Sequence, residues 1–292
     1  MANLREFTCG GAGGLSLLLA GHPFDTIKVR TQTKPEIYRN FLQATKLTVV
    51  QEGPLAVYKG VTPLIPSIAP YMSLAFVGFE HGKQLVSNNK KQEKYLSINQ
   101  LAIAGFISGI YTTPLIGPAE RIKCLAQVEQ KKSFQLAKEI YQAKGIKSFY
   151  KGGTFTALRE CIGAAFYFGT YHYLKQNYLK NLEEEASKSG NKTNNNLNFP
   201  VFYNLLYGGL AGVSMWCIVV PFDVIKSRIQ TAPEHVTTKE TLKIIRADVN
   251  KNGTKVLYRG LSAALIRSFP ANAACFLGYE KARVLFDYYM DV

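Results

Sequence analysis

The chain has 292 residues and a net charge of +15, with a mean hydropathy of -0.03. That length leaves ample room for a buried core in one or two domains, while a hydropathy near zero excludes a bundle of uniformly apolar spans. The five cysteines, Cys9, Cys124, Cys161, Cys217 and Cys275, are odd in number and lack both metal spacing and a paired framework, so they are expected as reduced thiols packed like small apolar residues.

In chain order, no cleavable signal is expected. Residues 4–7 carry a base and an acid, and the apolar run that follows is glycine-rich and ends in charge. The first predicted helix covers the uncharged residues 9–20 and runs into GHPFDTIKVRTQT at residues 21–33, which sets a proline, an acid and two bases where a membrane helix should be leaving the bilayer. Further uncharged stretches lie at residues 60–79, 101–119 and 201–222, each near bilayer-spanning length. The connectors carry a weaker helical pattern, such as Phe134, Ala137, Ile140 and Tyr141, which predicts a short amphipathic helix on the membrane surface. Residues 183–198 are polar and low in complexity, and a flexible loop is expected there. The glycosylation-type triplet Asn191-Lys192-Thr193 within it is read as incidental.

The distribution of charge bears on partners. Residues 23–60, 118–152 and 221–260 together hold +12 of the net +15. Short basic segments beside apolar spans fit the positive-inside bias and attraction to anionic lipid. A nucleic-acid partner is not expected.

Those segments also share a pattern. PFDTIKVRTQ, PAERIKCLAQ and PFDVIKSRIQ begin at Pro23, Pro118 and Pro221, 95 and 103 residues apart. Downstream come EGPLAVYKG ending at Gly60, KGIKSFYKG ending at Gly152 and NGTKVLYRG ending at Gly260, and later FEHGK at Phe79, YHYLK at Tyr171 and YEKAR at Tyr279. Three motifs recurring in one order define a tandem triplication, with units at residues 1–95, 96–195 and 196–292 forming one bundle. Each unit reads as an apolar helix, a basic connector and a second apolar helix, giving six spans in an all-α chain. Gly10 and Gly14, Gly105 and Gly109, and Gly208 and Gly212 stand four apart on their helices, where missing side chains allow close helix approach.

Elementary geometry suggests what the repeated proline does. A proline inside a helix removes a hydrogen bond and bends the chain, so Pro23, Pro118 and Pro221 would turn three helix ends toward a common axis and bring unlike charges together. The thrice-repeated Pro-x-acid-x-x-base pattern followed by aromatic-base-Gly resembles the mitochondrial carrier family over essentially the whole chain. The resemblance implies a pseudo-threefold bundle of six transmembrane helices with short matrix-side amphipathic helices in the inner mitochondrial membrane. It also implies alternating access to one central site, both termini toward the intermembrane space, a monomer, no cofactor, and structural cardiolipin at Tyr58-Lys59-Gly60 and its two equivalents.

By the family's pairing, Asp25 meets Lys123, Glu120 meets Lys226 and Asp223 meets Lys28 in a matrix-side gate, with Gln32, Gln127 and Gln230 bracing the pairs. On the opposite side the pattern pairs Glu80 with Lys175 and Glu280 with Lys83. The third pair is defective: His172 stands where an acid belongs, opposite Arg283, so the outer gate is expected to be the weaker. The second unit also departs at Leu125, where the others have Arg30 and Arg228, and at Lys144, where the first has Glu52.

Repeat arithmetic locates a candidate substrate site. Arg159 and Arg267 each lie 12 residues before the outer motif, at Tyr171 and Tyr279, and 7 after a motif glycine; at a rise of 1.5 Å per residue they sit roughly 18 Å from that motif. Charges at such depth point to an aqueous cavity. Arginines suit a carboxylate through paired hydrogen bonds and Glu160 suits a cation, so the substrate class is a small zwitterion. Within the family the Arg-acid pair resembles carriers of amino acids and of carnitine. ERIKCLAQ, DVIKSRIQTAP and RSFPANAACFLGYE resemble those that exchange carnitine and acylcarnitines, although that branch has Asp where this chain has Glu160. Ornithine and other basic amino-acid carriers are the alternative; they would be expected to place another acid in residues 60–79, which hold no charge and offer Pro70, Tyr71 and Met72. Tyr71, Tyr167 and Trp216 are candidate aromatic faces for a quaternary ammonium, and His22 either contacts substrate or packs. The histidines His22, His81, His172 and His235 form no metal or nucleophile constellation, so neither metal nor catalysis is expected.

Overall fold

The computed structural model describes residues 2–87, 96–129, 131–188 and 201–290. Six long helices carry the bundle: α1 (Ala2–Thr33), α3 (Ile68–Val86), α4 (Ile98–Glu129), α6 (Gly153–Lys188), α7 (Val201–Thr231) and α9 (Leu261–Met290). Three short helices, α2 (Phe41–Glu52), α5 (Ser133–Lys144) and α8 (Thr238–Asn252), fill the connectors. The order long-short-long therefore occurs three times. By length and composition alone, α4 and the Leu206–Thr231 part of α7 could cross a membrane.

Local sequence explains the short helices. The Asn40 side chain accepts from the Gln43 backbone N–H at 2.9 Å and starts α2, and Thr237 with Glu240 forms a reciprocal capping box on α8. Each short helix ends at a glycine with positive φ, Gly53, Gly145 or Gly253, where other residues would be strained. A 3-10 turn then delivers Tyr58, Tyr150 or Tyr258, followed by a base and a second left-handed glycine.

Those second glycines lock neighbouring units together. A Cβ on Gly60 would stand 2.8 Å from the Lys123 carbonyl oxygen, one on Gly152 3.2 Å from Gln230 Cγ, and one on Gly260 3.0 Å from Lys28 Cγ. Each motif glycine thus sits against the first long helix of the next unit: α4, α7 or α1. The long helices follow the same rule, since α3 packs on α4, α6 on α7 and α9 on α1.

Pro23, Pro118 and Pro221 all lie inside continuous helices. The carbonyl four residues before such a proline loses its partner. For Pro118 that is the Pro114 carbonyl, which accepts from the Tyr150 hydroxyl at 3.1 Å. One motif thereby satisfies the atom that another leaves open.

Four expectations are corrected. Both members of a glycine pair pack closely only in the second unit, where a Cβ on Gly105 would meet the Ala164 backbone at 2.7 Å and one on Gly109 the Cys161 backbone at 2.5 Å. Gly14 approaches Ile68 of α3, whereas Gly10 and Gly212 face open space, α1 and α7 packing less closely on α3 and α9 than α4 does on α6. On α5 the bundle-facing residues are Leu136 and Ile140, packed on Leu125 and Ala126; Phe134 and Tyr141 point outward at 84% and 58% exposure. The helix α6 continues through Lys188, so the first part of the expected polar loop is helical, and Asn191-Lys192-Thr193 lies outside the described residues. Cys9, Cys124 and Cys161 are buried as expected, but Cys217 is exposed.

Candidate functional site

At the proline end α1, α4 and α7 converge, and three inter-unit ion pairs close a ring. Lys123 Nζ lies 2.6 Å from Asp25 Oδ2 and Lys28 Nζ 2.7 Å from Asp223 Oδ2, while Lys226 pairs with Glu120. On each helix acid and base are three residues apart and reach different neighbours. The ring is well withdrawn from solvent, with Asp25, Lys28, Asp223 and Lys226 all buried.

The three glutamines do not share one role. Gln32 Nε2 donates to Asp223 Oδ2 at 3.1 Å and braces that pair. Gln127 donates instead to Thr26 Oγ1 at 3.0 Å, and Gln230 to Thr156 Oγ1 at 3.3 Å. For Gln127 and Gln32 the reason lies three residues after the proline of the unit each one faces. Thr26 offers Gln127 a hydroxyl, whereas the equivalent Val224 offers Gln32 none, so the carboxylate becomes its partner.

A second tier of contacts surrounds the ring. Arg30 clamps Glu52 at 2.6 and 2.9 Å and donates Nε to the Gln127 carbonyl at 3.0 Å. Arg228 repeats this with Asp248 at 2.9 Å and the Gln32 carbonyl at 3.0 Å. In both carboxylates partial burial pushes the pKa up, but bonds from Arg30 and Lys59 at Glu52, and from Asn252 and Arg228 at Asp248, outweigh it and hold the acids below their ordinary range. With Leu125 in the second unit, the remaining seam is tied differently. Arg121 pairs with Glu234, and Lys151 Nζ donates to the Ala232 and Pro233 carbonyls at 2.9 and 2.8 Å.

The candidate substrate residues stand directly on the ring. Arg159 Nη2 donates to Glu120 Oε1 at 2.8 Å and also to Glu160, and its Nε is 3.7 Å from Asp223 Oδ1. Arg267 Nε lies 3.0 Å from Asp25 Oδ1, an ion pair without a well-directed hydrogen bond. The level of these arginines and that of the ring are therefore contiguous. Glu160 Oε2 accepts from the Tyr71 hydroxyl at 3.1 Å. Tyr167 lies two turns farther along α6, beside Gly208 of α7. Five cations and four carboxylates meet here, among them Arg159, Arg267 and Glu160, which leaves one net positive charge for an incoming carboxylate.

Two further candidates, His22 and Trp216, adjoin the ring through contacts of their own. His22 is fully enclosed; its Nε2 donates to the Lys59 carbonyl at 3.0 Å and its ring stacks on Tyr58. In this conformation it packs against the aromatic-base-Gly turn. Trp216 presents its face to Lys28, whose ammonium is 3.7 Å from the ring centroid. Gly21 was missed by the sequence reading: a Cβ there would stand 2.6 Å from Arg267 Nε. The signal was available, since the equivalent positions two before Pro118 and Pro221 are Ile116 and Val219.

The other end of the bundle differs. Glu80 pairs with Lys83 on its own helix at 2.7 Å. Among the described residues, neither Glu80 nor Glu280 makes an ion pair to a neighbouring helix, so the expected Glu80–Lys175 and Glu280–Lys83 pairs are not formed in this conformation. His172 stacks on Phe79, with centroids 6.4 Å apart, within an aromatic layer that includes Phe168.

A threefold bundle, closed at one end by ion pairs between units and holding paired arginines and a glutamate just above them, defines a carrier of small charged solutes. The mitochondrial carrier protein family matches residues 1–90, 94–182 and 198–289, and the chain belongs to that family, whose members are transporters and not enzymes. It is 39% identical to the mitochondrial carnitine/acylcarnitine carrier protein of Mus musculus, over 95% of this chain and 93% of the relative. The human protein of that name is 36% identical over 96% and 93%, and the mitochondrial carnitine carrier of Saccharomyces cerevisiae is 38% identical over 98% and 89%. Membership places the chain in the mitochondrial inner membrane.

Proposed function

We infer that this chain exchanges carnitine and acylcarnitines across the mitochondrial inner membrane. The observation that carries the reading is the cluster of Arg159, Arg267 and Glu160 on top of a closed ring, in a chain whose full-length relatives at 36–39% identity are named as carnitine carriers. Two guanidiniums serve the substrate carboxylate and Glu160, held by Tyr71, serves the ammonium. No reported relative favours the ornithine alternative, and Gly60 through Phe79 supplies no second acid for an extra amine.

The transport step follows from competition. Arg159 and Arg267 are partnered by Glu120 and Asp25, so a substrate carboxylate takes these arginines away from gate acids and loosens the ring. Charges exchanged between partners cost far less than charges stripped bare. The ring faces the matrix, the aromatic-acid end faces the intermembrane space, and both termini lie on that outer side; the conformation described is therefore closed to the matrix. The protein acts as a monomer, with cardiolipin bound at Tyr58-Lys59-Gly60, Tyr150-Lys151-Gly152 and Tyr258-Arg259-Gly260.

Competition by fragments tests the site. In liposomes holding the purified protein, acetate-bearing analogues with a quaternary ammonium should inhibit carnitine exchange, and choline, which lacks the carboxylate, should not. Arg267→Ala should erase that difference. Equal inhibition by choline in the unaltered protein would remove the carboxylate anchor.

A further inference from the structure

We propose that Trp216 is the seat of one gate lysine, Lys28, rather than a wall of the substrate site. Lys28 Nζ is held on one side by Asp223 Oδ2 at 2.7 Å and on the other by the indole face at 3.7 Å. The lysine is only 5% exposed, so the ring replaces water that the ammonium has given up. The indole itself is fixed among Val219, Val220, Val224 and Ala264, which leaves it one orientation in which to offer its face.

The seat breaks the threefold symmetry. Trp216 lies five residues before Pro221, and the equivalent positions before Pro23 and Pro118 are Leu18 and Thr113. Lys123, paired with Asp25 of the first unit, would look to Leu18; Lys226, paired with Glu120 of the second, would look to Thr113. Neither side chain has a π face. Among the described residues, no aromatic ring lies over Lys123 or Lys226, whereas Gln32 adds a third contact to the Lys28–Asp223 pair through Asp223 Oδ2.

Both asymmetries strengthen one seam, between the first and third units. A desolvated cation–π contact shifts an equilibrium by roughly tenfold. The Lys28–Asp223 seam is thus the last to part, and the Trp216 face becomes available to any other cation only after Lys28 has left it. The inference rests on reading the ion-pair ring as a gate, but not on the identity of the solute.

Trp216 is the sole tryptophan of the chain, so its fluorescence and its chemistry can be addressed without altering any other residue. In purified full-length protein without added carnitine, Lys28→Gln should shift Trp216 emission, while Lys123→Gln and Lys226→Gln should leave it as in the unaltered protein. An unchanged spectrum in Lys28→Gln, or the same shift in all three variants, would overturn the seat. A second measurement does not depend on a lysine variant folding. Replacing tryptophan by its mono-, di- and trifluorinated forms weakens the negative ring face at nearly constant shape, and Tm should step downward with each fluorine. A Tm indifferent to fluorination would overturn the proposal. Neither readout uses carnitine, so failure of the substrate assignment would leave both results interpretable.

Discussion

Arg267 Nε lies 3.0 Å from Asp25 Oδ1, in space left by the missing side chain of Gly21. The arginine proposed above to anchor the carboxylate and an acid of the ion-pair ring are thereby in contact, and one glycine makes that contact sterically possible. Gly21→Ala would place a methyl 2.6 Å from Arg267 Nε and displace the guanidinium. A charge-assisted hydrogen bond is worth about 1.5–3 kcal/mol, so half-saturation for carnitine should rise at least tenfold in reconstituted liposomes. An unaltered value in a folded Gly21→Ala protein would show that Arg267 need not lie where it does.

The glutamines should differ in value. Gln32 bonds a charged acceptor, whereas Gln127 bonds the Thr26 hydroxyl, which also donates to the Val57 carbonyl at 2.6 Å. Gln32→Leu should cost about 1.5–3 kcal/mol and Gln127→Leu about 0.5–1.5 kcal/mol of the closed form. Melting curves in detergent would rank them, and Gln127→Leu as the more damaging change would contradict the assignment of braces.

The Arg30–Glu52 clamp predicts an acid limb of stability. Glu52 is held below its ordinary value of about 4.3, chiefly because the Arg30 bonds outweigh its partial burial. A depressed acid stabilises the fold fully above that value and loses the contribution as pH falls through its lowered pKa. Tm should therefore drop on acidification below about pH 4.3, and Glu52→Gln should flatten part of the drop while lowering Tm at neutral pH. If the acid limb of Glu52→Gln matched that of the unaltered protein, the clamp would not be its source.

His172 offers a test at the other end. By the family's pairing it would stand opposite Arg283 in place of an acid, and it stacks on Phe79. His172→Asp should supply the third outer ion pair, overstabilise the outward-closed form and slow exchange; His172→Asn, with no charge, should not slow it comparably. Unchanged or faster exchange in His172→Asp would count against the weak outer gate.

Much of this architecture is legible in the sequence because a triplicated motif is its own alignment. Proline, acid and base at fixed spacing lead directly to the pairs of Asp25 with Lys123, Glu120 with Lys226 and Asp223 with Lys28. What each glutamine touches was not legible from its own motif, since the partner depends on Thr26, Thr156 or Val224 elsewhere. His22 is similar: its hydrogen-bond partner is the Lys59 carbonyl, 37 residues away. The outer pairs reflect a different limit. A pattern of acids and bases encodes which pairs can form, but not which conformation a bundle with two alternative closures adopts.

The central claim is that the site takes carnitine through Arg159, Arg267 and Glu160. Purified protein in liposomes loaded with carnitine should take up labelled carnitine by exchange, external acylcarnitines should compete, and Arg267→Ala should reduce uptake at least tenfold, the loss of about 1.5–3 kcal/mol expected for a charged contact. Selective uptake of ornithine or arginine instead, or full carnitine exchange by Arg267→Ala, would contradict it.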